Sequence, residues 1–280
     1  MVSVSVIPSF LACDWKATNA VRGLMQPSAT YPCPICIAKR PFDFSLHHLL
    51  FCTHRPTRNL GRDWSQTHDP LLNIASDHIV PLPLHCFLGI GNKIIRQVLP
   101  KLYTQAAVNA SVDSIKTAHA APVGKAAFHD LTGVELEKYI KAEKLLAFDG
   151  GDESKKQKLQ EWLRELHRHL LHRDTWTEDM LTQYRLFLQN ILSEWKTVTG
   201  TAHLPKHHML FHGLQFAEQH RFLGKVSEAS MESCHGKWRA LEQSTYFNKA
   251  NKPGEWLRVV LQHLTVASLA EAKQAKFVSQ

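Results

Sequence analysis

Cys33-Pro34-Ile35-Cys36 is the stretch whose residue types and spacing carry the clearest chemistry. Two thiolates held this close in a tight turn can share one tetrahedral ion, and zinc suits such a pair. Two further donors are then needed. His47 or His48 with Cys52 or His54 would close a short local finger. His207 and His212, in Lys206-His207-His208-Met209-Leu210-Phe211-His212, would close the same site from far along the chain. Spacing alone leaves both completions open. Two carboxylates stand beside these stretches. Asp14 follows an apolar run, and Glu232 lies in Ser227-Glu228-Ala229-Ser230-Met231-Glu232-Ser233. Taken singly, Asp14 reads as a turn or helix-cap residue and Glu232 as a solvated helix carboxylate. A chain that folds back to bring the histidine pair to the cysteines would also carry Glu232 towards Asp14.

The bulk of the sequence bounds what can surround such a site. The 280 residues are enough for one large domain or two smaller ones, and 44% hydrophobic with 21% charged is ordinary for a globular chain. The net charge of +8 points to an anionic partner, nucleic acid before membrane. Six scattered cysteines do not make a disulfide scaffold at this length, so the close pair reads as metal or redox chemistry in a reducing compartment. No apolar run reaches the ~18 residues of a membrane span. The apolar start, up to Cys13, lacks a basic leader and reads better as a buried strand than as a signal peptide.

The elements that would position the site are mostly helical. Val2, Val4 and Val6 alternate with serines at a strand period. Lys16 to Met25 is predicted as a short helix, and Thr30 to Cys36 as a turn. From Ala38 to Pro83 weak periodicity predicts irregular structure around a metal. Pro81 to His85 is read as extended and leads into a helix, with Gly89 and Gly91 in its first turns allowing close packing and Ile94, Ile95, Val98 and Leu102 on its apolar face. Val134 to Phe148 is predicted as a helix closed by Gly150-Gly151. Asp152 to His172 and a helix capped by Thr177 carry facing stripes: Leu159, Leu163, Leu166 and Leu170, then Leu181, Tyr184, Leu188, Ile191 and Trp195. They are expected to pack as a hairpin. His207 to His220 is a further helix that Gly224 breaks, and Ser227 to about Phe247 another.

These landmarks together resemble the C-terminal part of the V(D)J recombinase catalytic subunit and the Transib-like transposases, including transposon-derived proteins of invertebrates. The resemblance is carried by Asp14 with Tyr31-Pro32-Cys33-Pro34-Ile35-Cys36. It continues in Leu84-His85-Cys86 with Gly91-Asn92, apart from an insertion that includes Phe87-Leu88. It ends in His207 to His212 followed by Gly224 and Ser227 to Ser233. It implies that Asp14 and Glu232 are the second and third acids of a DDE triad and that Cys33, Cys36, His207 and His212 bind Zn²⁺. DDE chemistry uses three carboxylates to hold two Mg²⁺ or Mn²⁺ ions. The family's first aspartate lies well upstream, whereas thirteen residues precede Asp14 here.

The fold class expected is therefore mainly α: a remnant of an RNase H-like core with a large helical insertion and a zinc-binding region. The expected divisions are a remnant strand and helix (1–30), the zinc-binding irregular region (31–90), the helical insertion (91–202) and the C-terminal helices (203–280). The function expected is that of a truncated or domesticated DDE-type recombinase, DNA-binding, nuclear and inactive alone. A homodimer is the assembly to test, and no membrane partner is expected. A non-enzymatic zinc-binding interaction protein and a helical protein with a local finger at 33–54 are the alternatives.

Overall fold

The computed structural model describes residues 10–12, 15–25, 28–39, 53, 55, 63–71, 74–115, 130–201, 204 and 207–226, without the side chains of Lys16, Ala17, Asp63 and His207. These residues belong to one compact unit ending at Glu228. They are mainly helical. The described β structure is two isolated bridges, Leu11 with Ile79 in parallel and Leu24 with Gln66 in antiparallel. The amino-terminal strand pattern at Val2 to Val6 and the helix expected after Ser227 lie outside the described residues.

Among the described residues, helix α1 (Trp15–Val21) is followed by the short 3-10 turns Asp63–Ser65 and Ser76–His78 and then by α2 (Pro83–Lys93). Pro83 opens α2, where its missing N–H is harmless. The helix widens into a π turn, Ile94–Val98, and returns to α geometry over Leu99–Leu102. The cause lies in the sequence. Pro100 cannot donate to the carbonyl four residues back, and its ring crowds the preceding turn. The wider turn closes instead through the Leu99 N–H, which donates to the Ile94 carbonyl five residues back. Ile94, Ile95 and Val98 all stay buried through it.

Four further helices complete the core: α3 (Gln105–Asp113), α4 (Gly133–Lys141), α5 (Glu153–Leu170) and α6 (Glu178–Thr199). Side chains cap them. Thr132 and Glu135 form a reciprocal capping box on α4, Asp152 accepts from the Lys155 N–H, and Thr177 accepts from the Met180 N–H. The α5 and α6 stripes are buried as expected. The two helices run antiparallel, because Trp162 stacks on Trp195 at 5.8 Å while His169 packs on Tyr184 at 4.9 Å. Helix α7 (His207–His220) lies against α6, where the Tyr184 hydroxyl donates to the Leu210 carbonyl at 3.2 Å. Helix α2 packs on α4, α5 and α7. At Gly91 a Cβ would lie 2.4 Å from Leu136 Cδ2, so the absent side chain is what lets α2 and α4 approach.

Three predicted boundaries shift. Helix α1 ends at Val21 rather than Met25. Helix α4 ends at Lys141 rather than Phe148, although Glu, Lys and Leu there favour helix. The Gln160 amide of α5 takes the Ile140 carbonyl at 2.9 Å, and Glu143 turns left-handed at φ 49. The Lys144 N–H then reaches the Tyr139 carbonyl, a Schellman ending imposed by tertiary contact. Helix α2 begins at Pro83, where an extended stretch to His85 was expected, while α7 stops at His220 as expected because Arg221 is left-handed at φ 63, ahead of Gly224.

His169 is fully buried among Trp176, Tyr184 and Phe187. Burial, then Arg168 and His172, lower its pKa to about 3. The folded protein keeps this ring neutral, while the unfolded chain protonates it below about 6.5. Its contribution is complete above about pH 6.5 and is lost as pH falls towards 3, at up to about 1.4 kcal/mol per unit. Denaturant unfolding at pH 7 and pH 5 should therefore show a steeper loss for the wild type than for His169→Phe. Equal losses would mean the ring does not titrate this way.

Candidate metal centre

The cysteine turn is held by α1. The Trp15 indole donates to the Pro32 carbonyl at 2.8 Å, and Asn19 Nδ2 donates to the same oxygen at 3.2 Å. Within the turn, the Ile35 N–H points to Cys33 Sγ and the Ala38 N–H to Cys36 Sγ, each at 3.4 Å. Such N–H groups stabilise thiolate charge. Ile37 donates to the Thr53 carbonyl and Arg55 to the Ile35 carbonyl, so a second segment lies alongside.

Arg55 does most to fix this turn. Its guanidinium, 5% exposed, donates to the carbonyls of Cys33, Tyr31 and Trp64 at 3.1, 3.0 and 2.8 Å. Trp64 and Ser65 both adopt left-handed backbone, at φ 56 and 65. That conformation is costly for non-glycine residues, and it is retained where Arg55 grips the Trp64 carbonyl and the Ser65 hydroxyl accepts from the Tyr31 N–H. Arg22 lies nearby and is also buried, with NH2 donating to Ser76 Oγ.

Helix α7 brings the other donors. Cys33 Sγ lies 3.5 Å from His212 Nε2, Cys36 Sγ lies 2.8 Å from His208 Nε2, and the two imidazole nitrogens are 3.0 Å apart. All four ligand atoms fall within 4.8 Å of one another, and all four residues are buried. A tetrahedral zinc with two sulfurs and two nitrogens has ligand–ligand edges of ~3.3 to ~3.8 Å. The Cys33–His212 separation matches, the imidazole pair falls ~0.3 Å short and Cys36–His208 ~0.7 Å short, so with small shifts the four donors could hold a metal ion such as zinc. His212 Nδ1–H donates to Gln215 Oε1 at 2.8 Å, which leaves the Nε2 lone pair facing the thiols.

The histidine in this cluster is His208, where the spacing had suggested His207. The correction has a simple cause. Residues four apart on a helix share a face, while residues five apart point about 140° away from each other. Once His207–His220 is a helix, His208 pairs with His212. The side chain of His207 lies outside the described residues, as do His47, His48, Cys52 and His54 of the local alternative. Asp14 and Glu232 lie outside them as well. Sequence reasoning missed Arg55, Arg22 and Gln215. Gln215 was within reach, as a polar residue three positions after His212 on one helix.

The charges suit a thiolate pair. Burial raises the Cys33 thiol, but the Cys36 hydrogen bond and the charges of His212 and His208 outweigh it and hold Cys33 well below its ordinary range. Burial, then Arg55, lower Arg22 to about 10, with Cys33 opposing, so it remains a cation at neutral pH. Burial likewise lowers Arg55, against the pull of Cys33 and Cys36.

With four protein donors in a buried, closed set, the ion would be structural. His208→Ala should abolish stoichiometric zinc and lower Tm, while His207→Ala should leave both near wild type. The reverse pattern would return the site to His207, and loss of zinc only in Cys52→Ala or His48→Ala would establish the local finger. Gln215→Leu should keep the fold and weaken zinc about tenfold, as losses of outer hydrogen bonds to ligating histidines do. Unchanged competition against a zinc chelator would remove Gln215 from the site.

No protein-family model matches the chain, and no curated protein matches it.

Proposed function

We propose that the chain is a DDE-type recombinase-like protein, zinc-stabilised, DNA-binding and inactive alone. The observation that carries this reading is the reach of the metal cluster. Cys33 and Cys36 meet histidines 179 and 172 residues further on. A local finger needs no such closure, whereas the resemblance to Transib-like transposases implies it. The helical residues between the two halves fit the insertion that the same resemblance implies.

In this proposal Asp14 and Glu232 are inherited positions from an RNase H-like active site for Mg²⁺ or Mn²⁺. Two ions held a few ångströms apart need a carboxylate shared between them. Asp14 and Glu232 are two of the three acids, and by themselves they do not supply that shared ligand. DNA binding would rest on the net charge of +8 and on phosphate contacts, and nuclear residence would follow from it.

The zinc-loaded chain should bind duplex DNA with an affinity that falls steeply between 50 and 200 mM salt, as phosphate contacts require. It should neither nick nor join DNA in Mg²⁺ or Mn²⁺. Absence of binding at low salt would favour a non-enzymatic zinc-binding interaction protein. Metal-dependent cleavage that Glu232→Ala abolishes would overturn the claim of inactivity.

A further inference from the structure

Helix α3 and the turn that follows α4 line a cavity of about 710 Å³. Its described lining includes none of the four metal donors. The volume is within the range of small-ligand sites. Packing sets both walls. Val108 and Val112 of α3 are fully buried, and the helix presents Ala107, Ala110, Ser111 and Ser114 to the cavity. None of these is longer than serine, so space stays open beside α3. Across from it Leu145 is fully buried and Phe148 is 8% exposed, its ring stacked on Tyr103 at 4.6 Å. Lys144, Ala147 and Asp149 are left at the opening. Gly151 is left-handed at φ 78, and a Cβ there would lie 3.0 Å from the Tyr103 hydroxyl. Glycine lets the turn pass this close to the ring.

The opening carries one cation and one anion that are not joined to each other. Among the described residues, no ion pair or hydrogen bond engages the Lys144 ammonium or the Asp149 carboxylate. Asp149 acts through space on Lys156, whose ammonium is held by Glu153 at 2.5 Å and by the Phe148 carbonyl at 2.8 Å. Glu143 and Asp152, acids close by in the chain, pair with Arg164 and Lys155. The hydroxyls of the α3 wall are committed to the protein. Thr104 accepts from the Ala107 N–H, Ser111 donates to the Tyr139 hydroxyl, and Ser114 donates to the Ser111 carbonyl. What remains for a ligand is an apolar interior with opposite charges at its mouth. A ligand with only a carboxylate would meet Asp149, and one with only an ammonium would meet Lys144.

We propose that this cavity binds a free α-amino acid with an apolar side chain. Its carboxylate meets Lys144, its ammonium meets Asp149, and its side chain packs against Leu102 and the alanines. An α-amino acid suits this lining because both of its charges sit on one carbon beside a single apolar group. The cavity and its lining carry this site whether or not the chain is recombinase-related.

The test titrates the full zinc-loaded chain calorimetrically with L-phenylalanine and L-leucine. Analogues that lack one charge serve as controls: hydrocinnamate and phenethylamine for the first, isocaproate and isopentylamine for the second. At least one amino acid should bind, and both of its analogues should bind about tenfold or more weakly, as loss of a charged contact requires. Lys144→Gln should weaken the amino acid about tenfold and leave its amine analogue unchanged. Asp149→Asn should weaken the amino acid to a similar degree and leave its acid analogue unchanged. A damaged fold would not give this reciprocal pattern. Ala110→Leu fills the cavity from an exposed helix position, and it should abolish binding without changing zinc content or Tm. Binding of neither amino acid by wild type would overturn the proposal. So would an analogue that binds as tightly as its amino acid, or binding that Ala110→Leu leaves unaltered.

Discussion

The closure between the cysteine turn and α7 is the constraint on which the described structure depends. Bringing together groups some 172 to 179 residues apart costs on the order of 5 kcal/mol in chain entropy. The packing of α2, α5, α6 and α7 recovers part of it and delivers the histidines already aligned on one helix face. A bound ion would supply the rest, because structural zinc in small domains contributes on the order of 10 kcal/mol or more. The helical core and the metal centre therefore need one another. The core pre-orients two imidazoles, and the centre pins the cysteine turn, described from 28 to 39, against them.

The surroundings of the four donors suggest how the described residues around the cysteines keep their shape. They have little regular backbone pairing, so their carbonyls find other donors. Arg55 satisfies three of them and is itself anchored through its carbonyl by the Ser76 hydroxyl at 2.5 Å. Trp15 and Asn19 satisfy a fourth. Two buried guanidiniums would be expensive by themselves. Here they lie against carbonyl oxygens and near two thiolates, so the charges that burial penalises are set beside partners of opposite sign or dipole. Replacing Arg55 with an apolar residue would leave three carbonyls without a donor, and the turn would no longer present both sulfurs to one point.

Much of this was legible in the sequence, and the reasons differ by region. Leu159 to Leu170 and Leu181 to Trp195 repeat at helical spacing with side-chain caps at Asp152 and Thr177, so local pattern and tertiary packing agree. The cysteine pair and the far histidines were legible as donors because their spacing is chemical. The choice of His208 over His207 was not, because the spacing was read as a motif before it was placed on the helix that sets which imidazoles share a face. The early end of α4 was hidden for a different reason: it is decided by Gln160, twenty residues on, whose amide takes the Ile140 carbonyl. Arg55 and Arg22 were illegible for the same reason, since an arginine that caps remote carbonyls leaves no periodic trace.

The central claim is that one ion joins the two ends of this fold through two sulfurs and two nitrogens. X-ray absorption at the zinc edge of the purified chain tests it most directly. The account predicts one zinc per chain with two sulfurs at ~2.3 Å and two imidazole nitrogens at ~2.0 Å, and no stoichiometric zinc in His208→Ala. A shell of three or four sulfurs, or an unchanged two-sulfur, two-nitrogen shell in His208→Ala, would contradict it.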